Sequence, residues 1–112
     1  MGRRRGRRYP VIVRVWTART TPARAPAYAE HLRGRVLPQL RALDGYTGAS
    51  LLRRDADGET ELIVVTRWRS LDAVRAFAGA DPDAAVVEPE AAAVLTRYDT
   101  RVRHYEIVIE DA

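Results

Sequence analysis

A chain of 112 residues supports one hydrophobic core, and 46% hydrophobic with 30% charged residues is the composition of an ordinary globular domain. It has no cysteine, lysine or asparagine, which excludes disulfides, thiolate nucleophiles, cysteine-held zinc and lysine Schiff bases. The formal charge of +4 is uneven: MGRRRGRR carries five of the 19 basic residues, and residues 9–112 hold 14 arginines against 15 carboxylates.

Residues 1–8 read as a disordered arginine-rich tail, and 9–112 as a single domain. Such a tail can touch phosphate backbones without specificity, but a near-neutral domain has no basic face, so no specific nucleic-acid partner is expected. No apolar run reaches the length of a signal-peptide core or a membrane span, so a cytoplasmic protein without a membrane partner is expected.

The first predicted element is the strand VIVRVWT (11–17), rich in β-branched residues. A helix follows within 20–43, where Tyr28, Leu32, Val36, Leu40 and Leu43 recur at helical spacing on one face. Pro38 lies inside that pattern; it removes a backbone hydrogen bond and crowds the carbonyl of Gly34, which predicts a kink. YTGASLLRR (46–54) and TELIVVTRW (60–68) are two strands joined through Asp57-Gly58, a strong hairpin signal. Ser70 caps a second helix with Leu71, Val74, Phe77 and Ala78 on its core face and Gly79 at its end. Pro89 opens a short extra helix over 88–97, and RVRHYEIVIE (101–110) is the last strand.

The order β-α-β-β-α-β predicts an α+β, ferredoxin-like fold with a four-stranded antiparallel sheet in 4-1-3-2 order and both helices on one face. The strands, however, are apolar on both sides. Leu62, Val64 and Trp68 alternate with Ile63 and Val65, and Ile12 and Trp16 with Val11, Val13 and Val15. A sheet face this apolar needs a cover, so a homodimer packed sheet to sheet is expected, with Arg67 facing the partner.

VLPQLRALDGYTGASLLRR and RWRSLDAVRAFAGADP, together with the element order, resemble the antibiotic biosynthesis monooxygenase family of the dimeric α+β-barrel superfamily. The resemblance runs from Tyr9 to Ile109 and includes the pattern Trp68-x-Ser70-x-x-Ala73. It implies a dimeric α+β barrel and cofactor-free oxidation of small aromatic or polyketide molecules. It also implies cyclisation, isomerisation or haem breakdown, other uses of the same scaffold. In polyketide-oxidising members, an asparagine four residues before the tryptophan and a tyrosine six after accompany it; those positions are Val64 and Val74 here. Haem-degrading members ligate iron through a histidine after the second helix, and residues 79–95 contain none.

Oxidation without a cofactor needs a dry aromatic pocket, a base, and a cation or donors for the oxyanion. His104, with Glu106 two residues on along the same strand face, is the candidate base, and Arg14 the candidate cation. Trp16, Trp68, Tyr28, Val64, Val74 and Phe77 are the candidate substrate-binding residues, with Trp68 at the rim of the helix–sheet interior. The bland alternatives are an interface or solvated edge for His104 and Glu106, and plain core for Tyr28 and Trp68. His31 reads as lying on the solvated side of the first helix. Neither a metal nor an organic cofactor is expected, because two separated histidines and scattered carboxylates give no ligand spacing. The expected partner is a small aromatic molecule. A cofactor-independent monooxygenase fits best; a cyclase or isomerase using His104 as base, or a non-catalytic ligand-binding dimer, are the alternatives.

Overall fold

A computed structural model describes residues 11–111; the arginine-rich tail expected over 1–8 lies outside them. The elements run β1 (Ile12–Thr20), α1 (Ala25–His31), a π turn (Leu32–Val36), α2 (Leu37–Arg41), β2 (Tyr46–Ala56), β3 (Glu59–Trp68), α3 (Leu71–Ala78), α4 (Pro89–Ala93), β4 (Arg97–Tyr98) and β5 (Arg103–Glu106). β2, β3 and β1 form the antiparallel sheet, and β4 and β5 share the outer edge of β1. This is the expected α+β arrangement with its fourth strand broken in two. Asp99–Val102 loops out between the halves, where Ala84 bridges to Arg101 and the Val102 N–H donates to the Asp83 carbonyl. The last strand is accordingly shorter than 101–110.

Local chemistry explains the joints. Pro38 has no N–H to give to Gly34, and the chain answers by widening the helix rather than breaking it: Leu37 donates to Leu32, five residues back. The expected kink is thus taken up by a π turn between α1 and α2. In the β2–β3 hairpin Asp57 and Gly58 both have positive φ, 56° and 75°, as a type I′ turn requires. Ser70 caps α3 by accepting from the Ala73 N–H at 3.1 Å. Gly45 cannot carry a side chain, because a Cβ there would lie 2.5 Å from that of Ala73. Leu71, expected on the core face of α3, is exposed instead, and Val74 carries the packing.

One face of the sheet is covered by the helices. Arg14, Trp16, Ala18 and Thr20 of β1 and Thr60, Leu62, Thr66 and Trp68 of β3 are buried there. Two apolar clusters result. One gathers Trp16, Tyr28, Leu32, Leu62, Leu95 and Val102; the other gathers Leu40, Trp68 and Val74 with Tyr46 and Phe77 packed against them. The opposite face is bare within the chain. Val13 and Val15 of β1 and Ile63 and Val65 of β3 are half-buried beside Leu52 and Tyr105, 48% and 52% exposed. Arg67 points to this face, alternating with Trp68 as expected.

Candidate active site

A cavity of about 60 Å³ opens between the sheet and the helices. Its sheet side is Arg14 and Trp16 of β1 with Val64 and Thr66 of β3. Its helix side is Tyr28, His31, Leu32, Val36 and Gln39, and Phe77 and the segment Val86–Glu88 close it. Of the residues expected to bind substrate, Trp16, Tyr28, Val64 and Phe77 line it. The tilted rings of Trp16 and Tyr28 stand 5.9 Å apart, giving an aromatic wall. The Trp16 indole N–H is anchored outside the cavity on the Asp99 carbonyl at 2.7 Å.

Trp68 does not line the cavity. It is 0% exposed, wedged between α2 and α3, edge-on to Tyr46 and stacked on Phe77 at 6.1 Å between ring centres. Its indole N–H is satisfied by the Thr66 hydroxyl at 2.8 Å. The expected position at the rim is therefore corrected to the core: the turn through Gly45 and the cap at Ser70 bring α3 down onto the strand end. Val74 is equally enclosed and leaves no space for a ligand. Phe77 spans both environments, stacked on Trp68 and lining the cavity, and Val36 and Thr66 likewise touch both.

Arg14 is held in the buried sheet face by the 79–88 connection. Its guanidinium donates to the carbonyls of Pro82 and Ala84, lies 3.2 Å from His104 Nε2, and sits 5.6 Å over the Phe77 ring. Burial pulls its pKa down to about 10, against the charge of Asp83, so it stays cationic at neutral pH. His104 is directly opposite Arg14 in the β1–β5 ladder, which accounts for the pairing.

That pairing changes the reading of His104. Arg14 can only donate, so Nε2 must accept, and Nδ1 then donates to Asp83 at 3.0 Å. Both ring nitrogens are occupied, the side chain is 10% exposed, and His104 is not among the cavity-lining residues. Burial lowers its pKa, and the Arg14 charge adds to this against the pull of Asp83. Glu106, expected to be its carboxylate partner, is exposed; Asp83, brought in by the 79–88 connection, takes that place. His104 is placed to orient Arg14, not to meet a ligand.

His31 is the residue that sequence reasoning misses. Its side chain is 8% exposed, it lines the cavity, and its Nε2 lies 3.4 Å from Glu88 Oε1. The contact is within ion-pair reach but is not an aligned hydrogen bond, and Glu88 Oε1 is buried with its acceptor capacity unmet. The Tyr28 ring is 6.1 Å from the imidazole, and burial pushes the phenol pKa up, so its hydroxyl stays a neutral donor. The signal is present as spacing: His31 is three residues from Tyr28, on the flank of the inward stripe, but its neighbours Glu30 and Arg33 are charged and exposed. Among the described residues no three His, Asp or Glu side chains cluster as a metal site would, and no helix is long and apolar enough to cross a membrane.

Residues 11–88 match the family described as antibiotic biosynthesis monooxygenase. No curated protein matches the chain in sequence. Among solved structures, the haem-degrader MhuD of Mycobacterium tuberculosis, with two haems in its active site, is 26% identical, with TM-score 0.59, 90% of this chain and 99% of that one covered. A Streptomyces coelicolor monooxygenase in complex with nanaomycin D is 21% identical, with TM-score 0.55 and coverage of 94% and 91%. SnoaB, a cofactor-independent oxygenase of Streptomyces nogalater, is 19% identical, with TM-score 0.54 and coverage of 92% and 96%. The last two likenesses speak to fold.

Proposed function

The chain belongs to the antibiotic biosynthesis monooxygenase family, and from that premise we propose that it oxygenates a small aromatic, polyketide-type molecule without a cofactor. The observation that carries this reading is the composition of the cavity: an aromatic wall of Trp16, Tyr28 and Phe77 beside one buried arginine. In such chemistry the substrate supplies the electrons. An activated ring CH₂ or its enol loses a proton, the carbanion reduces oxygen, and CH₂ becomes C=O. One oxygen atom stays on carbon, and the other leaves as water with the two hydrogens. Arg14 is proposed to hold the developing oxyanion, its cation preorganised by Pro82, Ala84 and His104 so that no reorganisation is needed during reaction.

Haem breakdown, the activity named for the M. tuberculosis neighbour, is not carried over. Residues 79–95, where haem-degrading members carry the histidine that ligates iron, contain no histidine. A second reading, ring closure or isomerisation without oxygen, is favoured by one observation. Val64, which lines the cavity, and Val74 occupy the positions where a polyketide oxygenase would be expected to have asparagine and tyrosine. Oxygen uptake decides between them: with a phenolic or anthrone-type substrate, one mole of oxygen consumed per mole of carbonyl product supports the oxygenase, and product without oxygen uptake supports the cyclase.

The working unit is proposed to be a cytoplasmic homodimer closed over the bare sheet face, where Val15 and Val65 lie opposite each other in the β1–β3 register. Sedimentation of a stable folded monomer at micromolar concentration contradicts this. Val65→Arg is expected to convert dimer to monomer.

A further inference from the structure

We infer that His31 and Glu88 form the proton-accepting pair of this cavity, and that its ligand is a conjugated ring bearing an acidic hydroxyl for that pair and a second oxygen for Arg14. The inference rests on the reading of the cavity as an aromatic-substrate site and adds the substrate's polarity to it. A buried acceptor without a donor is costly, and the cost is met when a ligand donor arrives. Glu88 Oε1 is such an acceptor, on a side chain that lines the cavity and is 29% exposed. The imidazole beside it, with its side chain 8% exposed and paired with no other carboxylate among the described residues, is the second half of the pair.

The opposite polarity stands on the sheet side. Arg14 has five N–H donors; the two carbonyls and His104 occupy three, which leaves two for a ligand oxygen. A ligand hydroxyl therefore donates to Glu88 Oε1 while a carbonyl or nitro oxygen of the same ring system accepts from Arg14. On proton transfer the ligand O–H bond breaks and its electron pair stays on the ring oxygen. The proton passes through Oε1 to His31 Nε2, 3.4 Å away. The new imidazolium is held by the Glu88 charge, and the ring's negative charge spreads toward Arg14.

The probe is 4-nitrophenol, compared with 4-nitroanisole, the same ring with its hydroxyl capped by a methyl group. Titrated into the full-length wild-type protein by calorimetry and absorbance, nitrophenol is expected to bind about tenfold or more tighter than nitroanisole, as for a hydrogen bond to a charged acceptor. The bound nitrophenol should show the phenolate absorption band below the pH at which it does so free in solution. Glu88→Gln and His31→Gln should each abolish the band, and Glu88→Gln should also abolish the preference. Equal binding of the two probes by wild type, or a phenolate band that survives both substitutions, overturns the pair while leaving the aromatic cavity standing. Binding of neither probe overturns the cavity reading itself and this inference with it.

Discussion

The two tryptophans of this chain sit on neighbouring strands and face the same side of one sheet, yet they serve in opposite surroundings. Trp68 is sealed by α2 and α3, elements that pack directly on the sheet end, and its indole N–H is spent on Thr66, a neighbour on its own strand. Trp16 is packed in the other apolar cluster by Tyr28 of α1, Ala91 of α4 and Leu95, and it also lines the cavity. The same ring thus builds closed core at one place and the cavity-facing edge of the core at another. What differs is the packing of the element above, not the strand beneath. Polar groups mark the boundary: Arg14, His31 and Glu88 all border the space beside Trp16, and none borders Trp68.

If that contrast holds, the two positions respond differently to truncation. Trp68→Leu should have the largest effect, a stability loss of about 2–4 kcal/mol from the void left in a closed core. Ligand affinity measured well below the lowered melting point should stay within about twofold. Denaturant unfolding and calorimetric titration read the two quantities separately. A Trp68→Leu protein that melts normally and binds weakly would reverse the assignment.

Arg14→Met comes next. It strips the cationic donor from the Pro82 and Ala84 carbonyls and from His104, and unsatisfied buried groups of this kind cost about 1–3 kcal/mol. Binding of a phenolate should weaken by about tenfold or more while binding of an uncharged aryl ether changes little. Equal losses for the two ligands would mean that Arg14 acts only through packing.

Trp16→Phe is expected to cost about 1 kcal/mol of ligand binding through the smaller aromatic surface, with a comparable loss of stability from the broken bond to Asp99. Both values are read from the same titration and melting series. A stability loss as large as that of Trp68→Leu with unchanged ligand binding would mean that Trp16 serves packing alone.

The smallest effect concerns His104. Its pKa is lowered by burial first, so the folded chain holds a proton there less tightly than the unfolded chain, whose histidine has its ordinary value of 6.5. Wherever the unfolded state binds more protons, stability rises with pH. The His104 contribution is therefore complete above pH 6.5 and lost as pH falls through the window below it. His104→Gln should flatten this slope below pH 6.5 and reduce turnover only several-fold through a less fixed Arg14. The hundredfold loss typical of a missing general base would restore His104 to that role.

The sequence made the frame of this contrast readable and left its content hidden. Alternation along 11–17 and 60–68, the Asp57-Gly58 turn, the Ser70 cap and the Pro38 interruption are local signals, and each has a local structural consequence. Trp16 and Trp68 carry the same local signal, a bulky ring on the inward side of a strand. Telling them apart needs the course of residues 79–88, a stretch without periodicity whose carbonyls catch Arg14 and whose end places Glu88 against His31. For the same reason Asp83 could not be chosen over Glu106 as the partner of His104: the first is set by a bridge 21 residues away in sequence, the second by strand alternation alone. His31 escapes notice because exposed charged neighbours disguise a residue on the flank of an apolar stripe.

With only two tryptophans, the ¹⁵N-labelled chain gives two indole N–H signals, assignable by Trp16→Phe and Trp68→Phe. Titration with 4-nitrophenol tests the contrast most directly, because a bound aromatic ring shifts whichever indole it touches. The Trp16 signal is predicted to move progressively to saturation while the Trp68 signal stays nearly still. A Trp68 signal that moves as far as that of Trp16, or moves alone, would contradict the assignment of wall and core.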